Sequence, residues 1–254
     1  MSGALDASAP FWVRVGGGLE SIPGGLRHGP ADLDHPPPGG PWEPLFGPDG
    51  LAGWAPPGAP RALLRRAPEE SARILRERRA YLLGRLGHKL RSAVLALQES
   101  ARQAAFGQHQ LLEQIYDQAQ EVGRRAAALE SVALDPKDEP RAVVIGAVLT
   151  LAAPEAASRI PAAAVVRVGE TVLVDALTRT YEWMGGAGVK IQGERVGDWW
   201  RLSFGPSPNR QPLPIPEVGE PLVRTLVDSH LHGWLDSSDP GGPKIYLPAV
   251  VTAA

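Results

Sequence analysis

Between residues 68 and 106, Leu82, Leu86, Leu90, Ala93, Val94 and Leu97 recur at three- and four-residue intervals in a Leu/Ala/Arg/Glu/Gln-rich stretch. At about 100° per residue they fall on one stripe, which predicts a long amphipathic helix. Pro68-Glu69-Glu70 reads as its start, with Pro in the first turn and acids at the positive end of the dipole. Gly107 reads as its stop. A second helix is predicted over 108–134, ending before Asp135-Pro136, with Leu111, Ile115, Ala119, Val122, Ala126 and Leu129 as its seam. Two long helices joined by a short turn make a helical hairpin. Alone it leaves a stripe uncovered. Pairing of two copies into a four-helix bundle would bury that stripe, and so would docking on the chain's own C-terminal region.

From about residue 138 the pattern changes. Residues 141–158 read as an apolar, Ala-rich helix, 163–168 as a strand and 171–184 as a helix, followed by Gly185-Gly186-Ala187-Gly188. Residues 189–191 and 199–204 alternate as a hairpin around Gly197-Asp198, and Trp199-Trp200 puts one ring on each face, one of them in the core. A third helix follows over 221–231, then a last hairpin of 234–238 and 244–247 around Asp239-Pro240-Gly241-Gly242. Helices against an antiparallel or mixed sheet make an α+β sandwich. Residues 1 to about 60 differ. Gly16-Gly17-Gly18, Pro36-Pro37-Pro38 and Pro56-Pro57 exclude a long helix, and 11–15 reads as one short strand. Trp12, Trp42, Phe46 and Trp54 argue for burial rather than disorder. The expected division is a Gly/Pro-rich segment or very small input module over 1–62, the hairpin over 63–136 and the sandwich over 137–254.

Composition narrows the function classes. The 254 residues suffice for one large or two small domains, and a net charge of -2 does not suit a nucleic-acid protein. Arg61, Arg65, Arg66, Arg73, Arg76, Arg78 and Arg79 are interleaved with Glu69, Glu70 and Glu77 and read as a solvated helix face. Without cysteine there is neither a disulfide nor thiolate chemistry. The longest apolar stretch, 142–153, is too short for a bilayer and carries Thr150. No basic region followed by an apolar core opens the chain, so a cytoplasmic protein without membrane or nucleic-acid partners is expected.

His88 sits opposite the apolar stripe, where an imidazole faces solvent and can act as a nucleophile at neutral pH. Arg91 and Ser92, three and four residues on, lie beside it; a guanidinium suits a phosphoryl group and a hydroxyl can position a phosphoryl oxygen. The stretch His88-Lys89-Leu90-Arg91-Ser92-Ala93-Val94 resembles the phosphoacceptor box of dimeric sensor histidine kinases, roughly His-Glu-Leu-Arg-Thr-Pro-Leu. His88, Leu90 and Arg91 match directly, Ser92 stands for Thr and Val94 for Leu. Ala93 replaces the Pro that kinks the family's helix, and Lys89 replaces its acidic general base, which a cation cannot supply. The order of elements over 68–250 is similar to the family's hairpin followed by its ATP-binding domain, with 222–230 as the last helix and 245–248 in the closing strands.

The family holds magnesium with an Asn on the helix matching 171–184, where this chain has Thr178, Arg179 and Thr180; its one Asn is Asn209, in a Pro-rich loop. The family's adenine-reading Asp-x-Gly-x-Gly corresponds to Gly205-Pro206-Ser207-Pro208-Asn209, and its Gly-rich lid is reduced to Val218-Gly219-Glu220. The resemblance therefore implies a domain that binds neither ATP nor magnesium in the family manner. No cofactor or metal is expected; His230-Leu231-His232 lacks a third ligand, and Asp175 and Glu182 read as helix-surface charges. The implied function is a homodimeric phosphorelay protein. His88 would accept a phosphoryl group from one response-regulator receiver domain and pass it to another, with Arg91 steadying the group and Ser92 lining the same face. Two alternatives remain: an active sensor kinase with an unusual ATP site, and a non-catalytic scaffold acting on a kinase or regulator.

Overall fold

The computed structural model describes residues 11–23, 26–29, 36–47, 50–59, 62–105, 111–133, 138–208 and 218–250. The N-terminal region, expected to hold one strand, forms a five-stranded antiparallel sheet ordered β3-β2-β1-β5-β4. Its strands are β1 (Phe11–Val15), β2 (Gly18–Ile22), β3 (Arg27–His28), β4 (Glu43–Gly47) and β5 (Gly50–Ala55). Gly and Pro shorten these strands rather than abolish them, so each is too brief for an alternating pattern to show. Both faces are buried. Phe11, Val13 and Val15, with Leu45 and Ala55, pack on Leu63, Ala67, Ile74 and Leu75, while Trp12, Leu19 and Trp54 form a second cluster with Trp42 and Leu51.

Helix α1 (Ala62–Ala105) runs 44 residues, about 66 Å at the helical rise. It starts earlier than Pro68 suggested. Pro68 lies inside it; the buried Leu63 and Ala67 before it and the partly buried Ile74 and Leu75 after it pack against the N-terminal sheet. Helix α2 (Leu112–Ala133) returns alongside it. At the base of this hairpin, Leu82 and Leu86 of α1 and Ala128 and Val132 of α2 join the main core of the C-terminal unit. Part of the predicted stripe is thus covered by the chain itself. Farther along, Leu90, Val94 and Leu97 are only half-buried. On α2 the inward face carries Gln118, Glu121 and Arg125 with Val122 and Leu129, and leaves the expected seam residues Ala119 and Ala126 exposed.

The C-terminal unit has a five-stranded mixed sheet ordered β11-β12-β10-β9-β7. It is built from β7 (Ala157–Arg159), parallel to β9 (Lys190–Val196), and the antiparallel β10 (Trp199–Gly205), β11 (Trp234–Asp236) and β12 (Lys244–Pro248). Helices α3 (Ile145–Ala152), α4 (Glu170–Trp183) and α5 (Glu220–His230) pack on it, and β6 (Arg141–Val144) pairs with β8 (Val165–Val168). The predicted 141–158 helix is therefore strand, helix and strand. An unbroken apolar run carries no period by which to tell them apart. Trp200 is buried and Trp199 half-buried, as the alternation required.

The two units meet through backbone. Gly17 N–H donates to the Gly233 carbonyl at 2.6 Å, and a Cβ on Gly18 would lie 2.0 Å from the Trp234 ring, so only glycine admits this approach. Beside this contact four charges meet: Glu20 of β2, Arg27 of β3, Arg78 of α1 and Asp228 of α5. Arg27 faces Glu20 at 3.0 Å and Asp228 at 2.7 Å; Arg78 pairs with Glu20 and reaches Asp228 at 3.5 Å. The carboxylates are buried, at 3 % and 1 % exposure. Arg78 is thus an anchor rather than part of a solvated face, and its neighbour Arg79 donates to the Val132 and Ala133 carbonyls at the end of α2.

Burial pushes the Asp228 carboxyl up to about 7, against the pull of Arg27 and Arg78 and with the push of Glu20. Because the folded form holds this proton more tightly than the unfolded chain, the contribution is full below the unfolded value and fades as pH rises through about 7. Thermal and urea unfolding should show stability falling between about pH 4 and 7, by at most about 1.4 kcal/mol per pH unit from this group. Asp228→Asn should flatten that slope; an unchanged slope would locate the titration elsewhere.

Candidate functional site

Helix α1 aims His88 outward because the residues that bury it lie on the other side. Leu82 and Leu86 are buried and Leu90 is half-buried, while His88, Arg91 and Ser92 are all exposed. With Ala93 in place of a proline, the helix runs on without interruption to Ala105. Ser92 Oγ donates to the His88 backbone carbonyl one turn back at 3.1 Å, and Ser92 also lines a hollow on the side facing α2.

Tyr81 and Leu95 lie seven residues to either side of His88, two turns away and so about 10 Å along the same face. They are 64 % and 59 % exposed. Arg85 lies over the Tyr81 ring and, with Lys89 and Arg91, makes this face cationic. His88 is therefore the centre of a strip with an apolar anchor at each end and positive charge between. The sequence pointed to His88, Arg91 and Ser92. Tyr81 and Leu95 were overlooked, although the seven-residue spacing around His88 places them on its face.

Under this turn, α2 holds α1 through Arg125. Its Nη1 donates to the Lys89 carbonyl at 2.6 Å, and Glu121 one turn away holds the guanidinium at 2.8 Å. Next to this clamp is a hollow of about 260 Å³ between the helices, where Ala93 and Ala96 are too small to fill the space and Gln118, Glu121 and Arg125 line the other wall.

The positions that the resemblance matches to a nucleotide site make contacts within the C-terminal unit. On α4, Arg179 pairs with Asp175 at 3.1 Å and Glu182 at 3.3 Å, and the buried Thr180 hydroxyl donates to the Ala176 carbonyl at 2.7 Å. After β10, Ser207 N–H donates to the Met184 carbonyl at 3.0 Å and its Oγ to the Ala187 carbonyl at 2.7 Å, which stitches this loop onto the glycine turn after α4. Asn209 lies outside the described residues. Among the described residues no group of three His, Cys, Asp or Glu is placed to hold a metal ion, and no helix is long and apolar enough to cross a membrane.

The helical hairpin followed by an α+β unit is a histidine-kinase-like fold. The solved Acinetobacter baumannii histidine kinase AdeS matches with a TM-score of 0.50 at 17 % identity, over 64 % of this chain and 98 % of that one. No family model and no curated protein matches the chain.

Arg125→Ala should free the Lys89 carbonyl and loosen the turn that carries His88. The expected cost is about 1 kcal/mol in urea unfolding, with faster amide exchange over residues 88–93. Unchanged exchange there would show that the clamp does not hold the turn.

Proposed function

We propose that this protein is a homodimeric histidine phosphotransferase of a two-component relay, with His88 as phosphoacceptor. The observation that carries this reading is the exposed His88 at the centre of a cationic strip between Tyr81 and Leu95, on the hairpin of a histidine-kinase-like fold. An unprotonated imidazole nitrogen attacks the phosphorus of an aspartyl phosphate on a receiver domain. The P–N bond forms as the P–O bond to the aspartate breaks and the carboxylate is released. The second transfer reverses this onto another receiver. Arg91 and Lys89 offset the charge of the phosphoryl group, and Ser92 lines the same face. The apolar ends give the receiver somewhere to dock.

Two further observations favour relay over autophosphorylation. Arg179 is a cation already held by two carboxylates where magnesium would need oxygen donors, so the α4 residues do not fit that ion. The four-charge contact also ties the C-terminal unit to α1 at Arg78, ten residues and about 15 Å before His88. For the dimer, α2 offers Leu112 at 59 % and Tyr116 at 64 % exposure, on one face with Ala119 and Ala126. A second hairpin would cover these residues. The scaffold reading uses the same docking strip without the imidazole.

Receiver domains loaded with phosphate by a small donor supply the test. Wild-type protein should take up the label, His88→Ala should lose uptake to background while remaining folded, and Arg91→Ala should slow it about tenfold, as for loss of one charge-assisted contact. Full uptake by His88→Ala would end this reading. Tyr116→Asp should turn the dimer into a monomer in sedimentation; a wild-type monomer would overturn the bundle. Calorimetry with Mg-ATP at millimolar concentration should give no heat of binding, whereas micromolar binding would favour an active kinase.

A further inference from the structure

Away from His88, a pocket of about 340 Å³ opens where β3 of the N-terminal sheet faces β11 and the start of α5. Pockets between two packed units are common ligand sites, and this volume suits a small molecule. Its wall brings two guanidiniums together. Arg27 Nη1 and Arg224 Nη1 both donate to the Leu235 carbonyl, at 3.4 and 3.1 Å. Two like charges converging on one oxygen repel each other. The carboxylates that offset them lie behind and beside the pocket: Glu20 and Asp228 for Arg27, Glu220 for Arg224.

Both groups are held in place. Arg27 stacks on Trp234 with its central carbon 3.9 Å from the ring, and Arg224 Nη2 donates to Ser237 Oγ at 2.9 Å. A guanidinium has five N–H donors, and the contacts above leave some on each arginine for an anion between them. Ser238 also lines the pocket and donates twice, through N–H and Oγ, to one oxygen of Asp236. The second oxygen of Asp236 can accept from a hydroxyl or amine.

We propose that this pocket binds a small phosphate-bearing molecule, its phosphate between Arg27 and Arg224 and a neighbouring hydroxyl or amino group on Asp236. Arg27 is also one of the four charges that tie the N-terminal sheet to α1 and α5, so a bound ligand tightens the junction below the hairpin. The site lies apart from His88 and gives the N-terminal module a ligand to sense.

Thermal unfolding of the full chain tests this, with inorganic phosphate and then glycerol 3-phosphate against chloride at equal ionic strength. The wild-type midpoint should rise and saturate with phosphate, and rise at lower concentration with the ester, because a ligand that binds only the folded form stabilises it by mass action. Arg224→Gln, which leaves the four-charge contact intact, should weaken binding at least tenfold. If that variant does not fold, Arg224→Lys, which keeps the charge but not the fork, carries the same comparison. Asp236→Asn should abolish the advantage of the ester. His88→Ala should respond like wild type, so failure here and failure of the phosphotransfer reading are told apart. No rise, an equal rise with chloride, or an equal response from the Arg224 variant overturns the proposal.

Discussion

Two carboxylates taken almost out of water organise this molecule. Glu20 and Asp228 come from opposite ends of the chain and are buried together, which is tolerable only because Arg27 and Arg78 are delivered to the same place. Removing one partner would leave a buried charge uncompensated, a loss of the order of 3–5 kcal/mol. The four groups sit on β2, β3, α1 and α5, so meeting this one electrostatic requirement sets the N-terminal sheet, the long helix and the C-terminal unit relative to one another. The backbone approach of Gly17 and Gly18 to Gly233 and Trp234 serves the same end, since any side chain there would hold the units apart.

With its first half fixed, α1 divides into a buried part and a presented part. Through Leu63, Ala67, Leu82 and Leu86 it belongs to two cores. Beyond Leu90 it runs beside α2, and the face they share there includes charged and amide side chains and a hollow as well as the buried Ser100 and Ala104. Arg125 compensates by binding a backbone carbonyl of α1, a contact that any residue at position 89 would support. Side-chain identity around His88 is thus released from holding the helices together and left to the outward face.

The long-period features were legible in the sequence. Leu82 and Leu86 gave the buried side of α1, and that in turn placed His88, Arg91 and Ser92 in solvent. The Gly197-Asp198 turn gave the β9–β10 hairpin. What escaped had no period to read. Strands of two to six residues broken by glycine and proline hid a five-stranded sheet, and the apolar run after residue 141 hid a strand-to-helix and a helix-to-strand change. Arg78 lies among arginines of which most are solvated, and only the distant Glu20 and Asp228 distinguish it. On α2, Ala119 and Ala126 fit an apolar seam by spacing, but alanine has too little surface to decide which way a helix turns. Bulkier contacts at Val122, Leu129 and Val132 set the rotation instead.

On the phosphotransfer reading, the departures from the kinase box share one physical logic. An acidic residue beside the imidazole helps to take a proton when ATP is the donor, but it would repel the dianionic phosphoryl group that a relay histidine must hold between transfers. Lys89 reverses that sign, and Arg85 and Arg91 extend it along the strip. A proline at position 93, as in the resembled family, would kink the helix just after the box. Here α1 continues unbroken past Ala93, is clamped to α2 by Arg125 and is joined to the C-terminal unit at Arg78. On this reading, the change at position 89 takes away something that autophosphorylation needs and nothing that exchange with a receiver bringing its own metal and carboxylates requires.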